Sequence, residues 1–171
     1  MTEENNQPEA GNEQGGQQEQ KSSPKFAVQR IYLKDLSFET PMGPAAFQKK
    51  VKPAISQDIA LSTTKLGGDN YEVELSLTVT VKDGDDTIYL IEVHQAGIFA
   101  VQGVEGQQLA QLLNTLCPST LFPYVREAVD SVVLKGSFPA LMIPPVNFDL
   151  LFAKAVEEGK LKGKAPEAIT H

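Results

Sequence analysis

In YEVELSLTVTVK, residues 71–82, the odd positions are Tyr71, Val73, Leu75, Leu77, Val79 and Val81. The even ones are Glu72, Glu74, Ser76, Thr78, Thr80 and Lys82. Period two kept over that length fits an extended strand with one buried face, because a helix would scatter both sets around its axis. DGDD (83–86) supplies turn residues, and TIYLIEVHQ (87–95) returns as the second strand of a hairpin. That second strand is apolar on both faces, with Tyr89, Ile91 and Val93 on one and Ile88 and Leu90 beside Glu92 on the other. Such a strand is either buried twice or left with a face that a second subunit could cover.

Weaker strand patterns occupy 26–39 and 55–64, and GIFAVQGV (97–104) continues or bends the fourth strand. The connection TPMGPAAFQKKVKP (40–53) holds three prolines and is too long for a tight hairpin, so it must cross over something. After Gly106 the period changes: Leu109, Leu112, Leu113 and Leu116 follow helical spacing, Cys117-Pro118 interrupts, and the pattern resumes from Leu121 to Val133. Gly136 is a natural stop. A last short helix starts near Asn147 or Asp149 and runs to about Val156. Strands followed by helices predict an α+β fold, with helices packed on one face of an antiparallel sheet.

One domain spans 25–153. Residues 1–24, rich in Glu, Gln, Asn and Gly, are expected to be a disordered acidic arm, and 154–171 the end of the last helix and a flexible tail. Acids outnumber bases, 22 to 15, which argues against a nucleic-acid or anionic-lipid footprint and favours a basic partner. The opening residues resemble no signal peptide, no run approaches the length that spans a bilayer, and a lone Cys117 excludes an internal disulfide. Together these predict a cytoplasmic chain without direct membrane insertion.

Chemistry-bearing residues are sparse. His94 and Glu92 share a strand face but make neither a triad nor a metal site. Cys117 reads as a small buried thiol, GVEGQQL (103–109) as a turn and helix start without P-loop residues, and DGDDT as turn chemistry lacking the other ligands of a calcium loop. No catalytic residue, cofactor or metal is expected. GSFPALMIPPVNFDLLF (136–152) is harder to dismiss: large apolar side chains broken by Pro139, Pro144 and Pro145, facing another proline-rich connection with Met42 and Phe47. It is either a loop tucked into the core or a wall of an apolar groove, for which the candidate contact residues are Phe38, Met42, Phe47, Phe138, Leu141, Ile143 and Phe148.

RIYLKDLSFE (30–39), EVHQAGIF (92–99), CPSTLFPYVRE (117–127) and FPALMIPPVNFDLLF (138–152), in that order and spacing, resemble the SecB protein-export chaperone family. The resemblance implies a four-stranded antiparallel sheet with helices on one side and a homotetramer built as a dimer of dimers. It also implies a cytoplasmic chaperone that binds unfolded secretory preproteins, keeps them translocation-competent and hands them to the SecA motor. In the family an acidic sheet face receives a basic, zinc-bearing tail of that motor; the matching positions are Asp35, Glu39, Leu90 and Glu92. Ile91, Val93 and Gln95 match positions tied to tetramer assembly. Two rivals remain: an enzyme or small-ligand binder using the same groove, and a SecB-like chaperone dedicated to one partner, such as a toxin-antitoxin pair.

Overall fold

The computed structural model describes residues 23–48 and 50–159, so most of the proposed arm and tail lie outside the described residues. The alternating stretch forms β3 (Asn70–Asp83), with its odd-numbered side chains buried from Tyr71 to Val81. β4 (Asp86–Gln102) returns beside it in one unbroken strand that absorbs 97–102, through a turn in which Gly84 takes a φ of 62°. β2 (Ala54–Gly67) pairs with the other side of β3, and β1 (Lys25–Glu39) with the free side of β4. The antiparallel order is β1-β4-β3-β2. The first two strands are therefore opposite edges, and the proline-rich connection, with its short helix α1 (Ala45–Gln48), does cross the sheet.

The helices follow in sequence: α2 (Gly106–Asn114), α3 (Leu116–Lys135) and α4 (Phe148–Glu157). The break between the first two falls at Thr115, with φ −122° and ψ −65°, and not at Cys117-Pro118. Pro118 sits in the first turn of α3, where a missing N–H costs nothing. α4 begins with Asn147 accepting from the Leu150 N–H at 2.9 Å, the cap expected for it.

α3 lies across β3 and β4, burying Cys117, Leu121, Val125, Val129 and Val133 against the odd-numbered strand residues. Gly97 allows that approach: a Cβ there would lie 2.7 Å from Phe99 Cε2 and 3.0 Å from Leu121 Cδ2. Tyr89, Ile91 and Val93 are buried on the inner, helix-bearing side of the sheet, and Ile88 is turned to that side too. The register shifts between Val81 and Lys82, and the extra residue turns Ile88 inward, where it is 2% exposed. The strand's second apolar face is smaller than its sequence implied, and Leu90 is left on the outer side.

Candidate binding groove and docking face

At the hairpin end of the sheet the two proline-rich connections meet over the inner face. They enclose an open groove of about 380 Å³ lined by Ala46, Phe47, Val51 and Pro53 on one side and Phe138, Pro139 and Leu141 on the other. Its floor includes Ile55, Val81, Ile88 and Tyr89. Phe138 is the centre of an aromatic row: its ring centroid is 5.0 Å from Phe47 and 4.7 Å from Tyr89, and Tyr89 is 5.9 Å from Phe38. Phe47 is 58% exposed at the lip, a costly placement for a ring unless something covers it. Burial holds the Tyr89 hydroxyl above its ordinary pKa, helped by the nearby charge of Asp130.

Of the candidate contact residues, Phe47, Phe138 and Leu141 line this groove, while Phe38 backs its floor through Tyr89. Met42 lies apart, beside Pro41, Asp86 and Thr87. Ile143 and Phe148 do not line this groove: at 2% and 4% exposure both are packed in the core, Phe148 edge-on to Phe122 at 5.9 Å and at the edge of a separate cleft with Ile59, Leu61 and Leu151. The sequence reading missed Tyr89, Ile88, Val81 and Ile55 as groove residues: alternation sets Val81 and Tyr89 among ordinary buried strand positions and Ile88 on the opposite face, yet all of them line the groove under the two connections.

The outer face of the sheet is polar. Asp35, Glu39, Leu90 and Glu92 do share it: Glu39 pairs with Leu90, Ser37 with Glu92, and Asp35 with His94. A bulge between Leu33 and Asp35 lets Lys34 join the same side, where its Nζ reaches Glu74 Oε2 at 2.7 Å and Glu72 Oε2 at 3.3 Å. Tyr32 donates its hydroxyl to Glu72. His94 bridges two strands, Nδ1 to Glu74 Oε1 at 2.7 Å and Nε2 to Glu92 Oε1 at 3.0 Å, with Ser76 Oγ 3.0 Å from Nδ1. The bond to Glu74, supported by the one to Glu92, holds the imidazole pKa above its usual value despite partial burial. Glu74 is held below the usual carboxylate range by Lys34 first and His94 second. Charge-assisted contacts of this kind favour the ionised forms on both sides.

The positions tied to assembly lie elsewhere than an outer surface. Ile91 and Val93 are 0% exposed and Gln95 5%, all beneath the helices of their own chain. In the single chain these three side chains therefore present no surface to another subunit. Cys117 is equally enclosed, and burial pushes its thiol pKa up to about 12, which removes it as a nucleophile at neutral pH. Among the described residues no helix is long and apolar enough to cross a membrane.

Comparison with known proteins agrees with this geometry. Residues 19–159 match the family described as preprotein translocase subunit SecB. The chain is 49% identical over 164 residues to the protein-export protein SecB of Marinobacter nauticus, covering 95% of this chain and 99% of that one. It is 48% identical to the SecB of Cellvibrio japonicus, covering 98% and 96%, and 51% identical to that of Hahella chejuensis, covering 84% and 90%. In three dimensions it is similar to a Mycobacterium tuberculosis SecB-like chaperone solved with an antitoxin peptide, at TM-score 0.59 and 14% identity, over 71% of this chain and 91% of that one. A sheet in the order β1-β4-β3-β2 under a long helix, matched at this identity over nearly the whole chain, makes the protein a member of the SecB family of protein-export chaperones.

Proposed function

We propose that this chaperone of the Sec pathway is a passive holdase: its groove takes apolar segments of unfolded preproteins in the cytoplasm, and its acidic outer face is where the SecA motor collects them. The observation that carries the reading is the groove itself, walled by Phe47, Phe138 and Leu141 and open to solvent. It offers apolar surface and few fixed polar contacts, which suits many sequences over one. Each buried client side chain contributes roughly 1.5 to 3 kcal/mol, less the cost of ordering the client. A homotetramer, arranged as a dimer of dimers, would place four grooves around one chain and turn weak contacts into avidity. The basic, zinc-bearing tail of SecA fits Asp35, Glu39, Leu90 and Glu92 by charge and by their shared face.

The test uses the absence of tryptophan in this chain. A tryptophan-containing precursor is diluted from denaturant into nucleotide-free buffer with increasing protein, and its fluorescence is followed as it folds. Arrest that saturates near one client per four chains is the expected result. Unhindered folding at every ratio would overturn the holdase reading and point to a narrower partner.

A further inference from the structure

The groove wall from Gly136 to Asn147 holds Pro139, Pro144 and Pro145 and has no regular secondary structure beyond the turn that ends α3. A segment of that kind keeps a fixed shape only where something pins it. Its start is pinned by the end of α3, where Ser137 N–H donates to the Leu134 carbonyl at 3.0 Å and Phe138 N–H to that of Val133 at 3.1 Å. Its end is pinned by the Asn147 cap. Among the described residues a single side chain hydrogen-bonds to the backbone between these points. That side chain is Asp130, one turn back on α3, whose Oδ1 accepts from the N–H of Leu141 at 2.9 Å and of Met142 at 3.2 Å.

Packing does not do the same work at Met142, which is 73% exposed and holds a φ of 48°, a region that side-chain-bearing residues seldom enter. A carboxylate accepting two backbone N–H groups is the strong class of hydrogen bond and can hold such a conformation. We propose that Asp130 is the positioning residue of the client groove: by fixing the backbone at Leu141 and Met142 it sets the distance between the Leu141–Phe138 wall and the Phe47 lip. The proposal rests on the groove being the client site. It makes the groove's width depend on a residue that no client needs to touch. The charge that Asp130 brings close to Tyr89 is consistent with its place directly behind the groove.

The experiment compares the full chain with its Asp130→Ala, Asp130→Asn and Leu141→Ser variants, measuring amide hydrogen exchange and affinity for an unfolded precursor. Asp130→Ala should speed exchange at the Leu141 and Met142 amides and weaken client binding about tenfold, or about 1.4 kcal/mol. Asp130→Asn, whose amide oxygen can accept the same two bonds, should restore both properties. Freed amides with unchanged affinity in Asp130→Ala would overturn the positioning role. So would an Asn variant that binds no better than the Ala one, or wild-type amides at 141 and 142 that exchange unprotected. If Asp130→Ala does not fold, wild-type exchange and the Asn variant still decide. Full client affinity in Leu141→Ser would instead sink the groove reading, and the proposal with it.

Discussion

The ring of Phe47, in the connection that leaves β1, stacks on the ring of Phe138, in the connection that leaves α3, with planes inclined by 27°. Two segments about ninety residues apart are thus joined at the groove mouth by an aromatic contact, which sterics can part without breaking a hydrogen bond. On the proposed holdase reading, a lip of that kind would yield to a client side chain of similar chemistry.

Phe47→Ala should therefore weaken client capture several-fold while changing the chain's stability by no more than about 1 kcal/mol, because the ring is already mostly in water. Phe138→Ala should do both kinds of damage, since that ring lies between Phe47 and Tyr89. Urea unfolding beside client titration separates the two cases.

Ile143→Ala should behave as a core deletion. A loss of about 2 to 4 kcal/mol in unfolding free energy is expected, with client affinity per folded molecule unchanged. A clear loss of affinity at full stability would return Ile143 to the groove.

Glu92→Lys should weaken binding of a basic SecA tail peptide and leave client arrest intact, because Glu92 points outward while the groove opens on the inner side of the same strand. Titrating the peptide at two salt concentrations checks the electrostatic origin: the wild-type affinity should fall as salt rises.

The His94 bridge predicts opposite pH behaviour at its two ends. With its folded pKa raised, His94 contributes stability that is complete below the ordinary imidazole value and disappears as pH climbs through the raised one. Glu74, with its folded pKa lowered, contributes stability that is present above the ordinary carboxylate value and disappears as pH falls through the lowered one. His94→Gln should abolish the alkaline loss, seen as a flatter unfolding midpoint from neutral to mildly alkaline pH. A variant that keeps the wild-type slope would show that another group titrates there.

Ile91→Ala should lower the stability of the single chain and of any assembly together, since Ile91 supports α3 from beneath. Sedimentation showing dissociation into fully stable smaller units would instead place Ile91 at a subunit contact.

How far the sequence reaches is visible in β3 and β4. Strict alternation at 71–82 predicted the buried set without error, because one covered face leaves a two-residue period nothing to compete with. Alternation failed at Ile88, where one inserted residue changes parity and leaves no mark in the residue types. The helix break was displaced to Thr115 because Pro118 looks like an interruption but is tolerated in a first turn. The groove was half legible. Phe47, Phe138 and Leu141 stand out as large apolar residues on broken segments, whereas Tyr89 and Val81 look like any other core position until the two connections are seen to meet over them. Asp130 left no signal at all, since a single acid on a helix is ordinarily a solvated one.

The strand register also gives the molecule two ends. Lys25 pairs with Gln102 at one of them, and Glu39 with Leu90, next to the groove, at the other. β1 runs between them over about 45 Å at the usual rise of an extended chain. A dye, affinity handle or surface anchor joined to the backbone at Lys25 would therefore leave from the pole remote from the groove. Protein immobilised in that way presents its groove outward, an orientation that a sensor surface or a pull-down matrix can use directly.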